Sequence, residues 1–503
     1  MSCEQRSSAN IVLRCFLIHV RSVTCLLVLS TLITGSVLAQ KRPRADSDYE
    51  RPQAPAAPSL PAPLLQELNL IRDAALTDDY AYRQVAHLTE NIGPRPVGSP
   101  QAQAAIEYVA GEMRKLGLEV RLEPVLARHW IRGAESAELV EYPGQAPGST
   151  QKIVLTALGG NHPTPPEGMT AEVVVANSFA DLDRLGRQNV AGKIVLFDVV
   201  FDRHKADNGY AGEAYEEAVV YRALGAKRAA ELGAVGSLVR SVGGADYRLP
   251  HTGGSKAAEI PAGAVTSEDA DLIAHLASQG KVRMHVILTS QTAEEVSTFN
   301  VIGDLKGSEH PEQVVIVSGH LDSWDLGTGA IDDAAGVAVA LETAQLMQQL
   351  HLRPKRTLRV IAWIDEENLG RGHVEYAKAH AAEIGQHVAA MESDLGASHP
   401  LGFRAKISAE AAARLQPVLE VLRPSGANLI LLSSDSPEAD IDPLAKQGVP
   451  AFGLLQDGRT YFNYHHTAAD TLDKIVPQEL RENATAMAVM GYALAAMPDP
   501  LPR

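Results

Sequence analysis

The sequence predicts an α/β fold: a mostly parallel or mixed sheet sandwiched by helices, with a β-rich domain inserted into it. Three observations predict this. From Phe299 onward, apolar runs near 313–318, 357–364, 387–393 and 451–455 alternate with helical patterns near 334–350, 372–384, 408–423 and 477–497. That alternation is the pattern of a sheet covered by helices on both faces. Residues 136–293 differ in texture, with short strand-like runs divided by turns. Finally, 503 residues of which 45% are hydrophobic suffice for one large domain plus a smaller one.

Taken in order, residues 1–39 read as a signal peptide. Arg14 and Arg21 precede an apolar stretch from Val23 to Ile33, and Val37-Leu38-Ala39 offers a cleavage site. The stretch is short for the ~20 residues that span a bilayer, so the reading favours a secreted or periplasmic chain without stable membrane insertion. All three cysteines (Cys3, Cys15, Cys25) fall in this segment, which leaves the mature chain no thiolate ligand and no disulfide. Residues 40–62 form a Pro/Ala-rich linker. Residues 63–135 begin the main domain: Ile106, Val109, Met113 and Leu116 share one helix face, Gly117 closes it, and Leu118, Val120 and Leu122 alternate as a strand. Residues 136–293 are the insert, in which no His and acid cluster has ligand spacing. Residues 294–503 complete the main domain.

The formal net charge is −16. Residues 1–39 hold three Arg and one Glu, or +2, so the rest carries −16 − 2 = −18. Such a surface argues against nucleic acid as a partner.

The chemistry lies at the ends of the apolar runs. His320 follows Val314–Gly319, and Asp332-Asp333 precede the small-residue helix start Ala334-Ala335-Gly336. Glu366-Glu367 follow Leu358–Ile364, and Asp394 follows Val388–Met391. His465-His466 sit in a polar loop. In open α/β sheets ligands bind at the carboxyl ends of the strands, and zinc takes imidazole nitrogen and carboxylate oxygen at roughly 2.0–2.2 Å. The set therefore points to a metallohydrolase with a pair of zinc ions. Each residue also has a plainer reading. Asp332 and Asp333 suit a helix cap, Asp394 a turn, the Glu pair a solvated loop, and a histidine pair in a loop is weak alone. Asp322, two residues after His320, is placed to accept the other ring N–H of that histidine. Of Glu366 and Glu367, one suits a ligand and the other a proton acceptor; spacing does not assign them.

Five stretches in order carry a resemblance: His320-Leu321-Asp322-Ser323, Gly329–Gly336, Asp365-Glu366-Glu367, Met391-Glu392-Ser393-Asp394 and His465–Thr471. The chain resembles the co-catalytic zinc exopeptidases of the aminopeptidase Y type over most of its length after about residue 65. The resemblance implies two Zn2+ per chain. His320 and Asp394 would hold one, Glu367 and His466 the other, and Asp332 would bridge them. It further implies Glu366 as general base, Asp322 orienting His320, and a cis Asp332–Asp333 peptide. Gly192–Asp198 and Ile260-Pro261-Ala262 look like a protease-associated domain.

The resemblance implies a secreted exopeptidase that hydrolyses small peptides, above all dipeptides with free termini, through attack by a metal-bound hydroxide. It also implies a homodimer. The nearest rival is a zinc aminopeptidase on longer peptides. Two remoter ones are a glutaminyl cyclase-like acyltransferase and a noncatalytic binding protein on the same fold. All five ligand positions and the base are filled, which argues against the last.

Overall fold

The four strands whose ends carry the acids and histidines lie side by side. The strands Arg356–Trp363, His310–His320, His387–Glu392 and Ala451–Gln456 are parallel neighbours. The structure, a computed structural model, describes residues 59–256 and 259–503. Residues 1–39 and most of 40–62, with all three cysteines, lie outside the described residues; the first helix is Ala62–Ala75. Among the described residues no helix is long and apolar enough to cross a membrane.

Antiparallel strands extend this sheet on both sides, as Gln291–Leu305 with Glu119–Ile131, and as Pro400–Lys406 with its parallel neighbour Leu429–Leu432. The full sheet has eight strands. Of these four strands only the start of Glu119–Ile131 was predicted. Their faces are mixed: Leu122, expected to point inward with Leu118 and Val120, is 37% exposed on the edge strand. Elsewhere the helix Pro100–Lys115 buries Ile106, Val109 and Met113 as its periodicity requires, and Leu116 is its C-terminal cap.

Two apolar helices cover the sheet. Ala335–Gln349 and Pro477–Ala496 are buried along nearly their whole length, and both belong to the same core as Val315, Val317, Leu358 and Val360. Gly491 permits the contact: a Cβ there would stand 3.0 Å from Val317 Cγ2. The predicted helix 408–423 is two short ones, Ala409–Arg414 and Gln416–Leu422. The break comes at Leu415–Pro417, where proline lacks the N–H that a continuous helix requires.

Residues 135–288 contribute a second eight-stranded sheet. Its parallel strands Met169–Ala176, Ile194–Phe197, Gly236–Arg240 and Ala262–Val265 pack with the helices Phe179–Val190, Ala211–Glu231 and Ser267–Gln279. The chain enters this segment from Glu119–Ile131 and leaves it into Gln291–Leu305, and these two strands pair with each other in the first sheet. The core of the second sheet includes Trp324, from the loop after His320. The ring packs edge-on to Trp130, with centroids 5.5 Å apart, and against Gly159, where no Cβ would fit.

One buried acid of the core has no role in the site. Glu342, fully buried in the helix Ala335–Gln349, accepts the Ala81 N–H at 2.8 Å, while its other oxygen has no partner. Burial pushes its pKa from 4.5 to about 8. A folded pKa above the unfolded one gives stability that is complete below about pH 4.5 and is lost as pH rises to about 8. Glu342→Gln is therefore expected to match the parent near pH 5 and to exceed it by a few kcal/mol near pH 8.5. Urea denaturation at the two pH values checks this, and an equal difference at both would contradict it.

Candidate metal centre

Strand ends and the loops that follow them deliver the polar groups of the centre. His320 is the last residue of His310–His320 and is 1% exposed. Asp394 follows His387–Glu392, Glu366 and Glu367 follow Arg356–Trp363, and His465-His466 follow the short helical turn Gly458–Asn463 beyond Ala451–Gln456. Asp332 lies in the turn Ala330–Ala334, before the covering helix. The Asp332–Asp333 peptide is cis.

Asp332 stands between two groups of donors. Its Oδ1 is 3.1 Å from His320 Nε2, which in turn lies 3.2 Å from Asp394 Oδ1. Its Oδ2 is 3.2 Å from His466 Nε2, which lies 3.0 Å from Glu367 Oε2. Each group, His320–Asp332–Asp394 and Asp332–Glu367–His466, offers three ligand atoms within 4.8 Å of one another. Of the adjacent histidines, His465 stacks on His466 at 3.6 Å between centroids, with its Nε2 3.4 Å from Asp332 Oδ2.

The electrostatics are those of acids crowded out of water. Burial, aided by Asp332, lifts Glu367 to about 7, and burial with Asp394 and Glu367 pushes Glu366 well above the carboxylate range. Burial also opposes ionisation of Asp332, but hydrogen bonds from His320 and His466 help to hold it well below its ordinary value. Glu367 Oε1 is buried with no hydrogen-bond partner. Three carboxylates and two imidazoles in this arrangement fit divalent cations of the zinc type, which take N and O ligands. The cations would offset the excess negative charge.

The supports of the centre differ in part from what the sequence suggested. Asp322 was expected to orient His320 with its carboxylate. Instead its main-chain carbonyl lies 3.0 Å from His320 Nδ1. The fully buried carboxylate turns to the neighbouring strand end and accepts the N–H groups of Glu366 (3.2 Å) and Glu367 (3.4 Å). A residue two positions after the ring can reach it with its own backbone, which frees the side chain. Asp333 caps: its Oδ1 accepts the Gly336 N–H at 2.8 Å, and its Oδ2 accepts the His320 N–H at 3.0 Å. Gly336 must lack a side chain, since a Cβ would sit 2.0 Å from Ser393 O.

Three supports were not predicted. Arg95, with no exposure, donates to the carbonyls of Leu321 (2.7 Å), Thr328 (2.7 Å) and Gly329 (2.8 Å). Asp470 accepts the N–H groups of Ala330 and Ile331, each at 2.8 Å. His251, from the segment in which the sequence shows no ligand spacing, has its Nε2 3.2 Å from His465 Nδ1. Burial, with His465 and His466 nearby, holds His251 well below its usual pKa and hence neutral. These residues act largely through backbone groups or from distant segments, so spacing gives no sign of them. Only the Asp470-Thr471 ending of the His465–Thr471 stretch was a signal.

A model of peptidase family M28 matches residues 300–490. Carboxypeptidase Q of Bos taurus is 37% identical over 429 residues, which cover 84% of this chain and 87% of that protein. The chain belongs to peptidase family M28. Membership makes it a metallopeptidase. A crystal structure of a peptidase M28 precursor from Shewanella amazonensis SB2B is similar with a TM-score of 0.82 and 35% identity, covering 88% of this chain and 98% of that one. A zinc aminopeptidase of Bacillus subtilis shares the fold at a TM-score of 0.61 and 20% identity, covering 84% of this chain and 96% of that one.

The corrected place of Asp322 has a consequence. Asp322→Ala removes the acceptor of two N–H groups that fix the Glu366–Glu367 turn but leaves the carbonyl beside His320. The variant is expected to lose about 10–100-fold in kcat/KM while retaining its metal content. Peptide kinetics alongside elemental analysis test this; metal loss matching the activity loss would contradict it.

Proposed function

We propose that the chain is a secreted two-zinc exopeptidase that releases amino acids from dipeptides with both termini free. The observation that carries this reading is Asp332, which turns one carboxylate oxygen to each of two donor groups. His320 and Asp394 would hold one ion, Glu367 and His466 the other, and Asp332 both. When bound, such a pair activates water and polarises the scissile carbonyl.

The residues of the chain divide the remaining work. The Glu366 carboxylate takes the proton of the attacking water and passes it to the nitrogen of the leaving amino acid as the C–N bond breaks. A carboxylate suits both steps, since it can take a proton from water and give it up again. Asp322 sets the turn from which Glu366 projects. Small recesses lie beside Trp324. One is bordered by Gly327, Gly329, Asp332 and His466, the other by Pro96, Trp130, Ser323 and Glu367. The kinship to carboxypeptidase Q supports cleavage of peptides at the carboxyl side. Secretion rests on residues 1–39, and a homodimer on the family resemblance.

Amino-acid release from a panel of dipeptides, each free, N-blocked and C-blocked, tests the reading. Hydrolysis is expected only with both termini free, to vanish on chelation and to return with zinc. Glu366→Gln should lower kcat by about 10²–10⁴-fold without loss of zinc. Equal cleavage of C-blocked peptides would identify an aminopeptidase instead, and absence of release from a zinc-loaded chain would refute the dipeptidase reading.

A further inference from the structure

Behind the imidazoles of the centre, a turn from the second sheet closes against the His465–His466 loop. The Thr252 N–H donates to the His466 carbonyl at 2.9 Å. This bond braces a residue whose φ of +58° lies in the left-handed region. The turn is itself anchored: Thr252 Oγ1 donates to Ala157 O at 2.9 Å, and the His251 N–H donates to Ser241 Oγ at 3.0 Å. His251 is fully buried.

These contacts fix where the ring protons are. The Thr252 carbonyl can only accept, and His251 Nδ1 lies 2.8 Å from it, so His251 carries its proton on Nδ1 and a lone pair on Nε2. That lone pair faces His465 Nδ1 at 3.2 Å, which places the proton of His465 on Nδ1. His465 Nε2 therefore turns a lone pair towards Asp332 Oδ2, 3.4 Å away. The same Thr252 carbonyl lies 3.3 Å from His466 Nδ1, and Arg222 Nη1 lies 3.3 Å from that nitrogen too.

We propose that His251 is a positioning residue of the metal centre: by holding His465 in its Nδ1–H tautomer, it keeps Asp332 Oδ2 free for a metal ion. The inference rests on the two-metal reading above. Without His251, His465 can move its proton to Nε2 and donate it to Asp332. That charge-assisted hydrogen bond competes with the metal for the same oxygen lone pair.

The test is zinc affinity, measured by competition with a chromophoric chelator on the full mature chain. His251→Leu is expected to weaken binding by about 10–100-fold. His251→Gln, which keeps an acceptor near the place of Nε2, should stay within about 3-fold of the parent. In a His465→Leu background, His251→Leu should have no further effect, because the competing donor is gone. In samples with 15N-labelled histidine, the His465 proton should shift from Nδ1 to Nε2 only in His251→Leu. Unchanged affinity in His251→Leu would overturn the inference. So would equal losses in the Leu and Gln variants, or a loss that persists in the His465→Leu background, since either would mean packing alone. If the parent binds no zinc, the two-metal reading fails too. If the parent binds zinc and His251→Leu binds it equally, only the role of His251 is refuted.

Discussion

Burying ionisable acids together is the constraint that shapes this molecule. A carboxylate withdrawn from water loses several kcal/mol of solvation unless it is paired or bound to a metal, and Asp332 is buried with the part-buried Glu367 and Asp394 beside it. Asp332 gathers them by presenting an oxygen to His320 on one side and to His466 on the other. Around it, each loop is held by a group whose own hydrogen bonds are satisfied through backbone: Arg95 and Asp470 on the approach to Asp332, Asp333 at the helix start, Asp322 at the Glu366 turn. The apolar core beneath, with two nearly wholly buried helices on the sheet, provides the rigid base that such a centre requires.

What the sequence revealed follows from how each residue acts. His320, Glu367 and Asp394 were legible because each ends or follows an apolar run and a parallel sheet brings such ends to one edge, and Asp332 and His466 because their loops carry motif residues beside those ends. The four parallel strands were legible for the same reason, since each is buried on both faces. The edge strands Pro400–Lys406 and Leu429–Leu432 were not: Leu429, Leu431 and Leu432 are about half exposed, so apolar patterning does not report their burial. Asp322 was found but given the wrong bond, because spacing cannot distinguish a side-chain acceptor from a main-chain one. Arg95 and His251 come from segments with no ligand pattern and meet the centre only through the folded chain.

The second sheet is more than a neighbour of the site. Its core takes in Trp324 from the loop after His320, and its 251–253 turn bonds to the backbone of His466. Trp324 also stands near the His466 ring, with centroids 5.8 Å apart. Substitutions within residues 135–288 can therefore alter the centre without touching a ligand.

Anomalous diffraction at the zinc edge, on crystals of the mature zinc-soaked protein, tests whether Asp332 is shared. Two zinc sites are expected, one contacting His320 and Asp394, the other Glu367 and His466, with Asp332 touching both. A single site, or two that do not share Asp332, would contradict this.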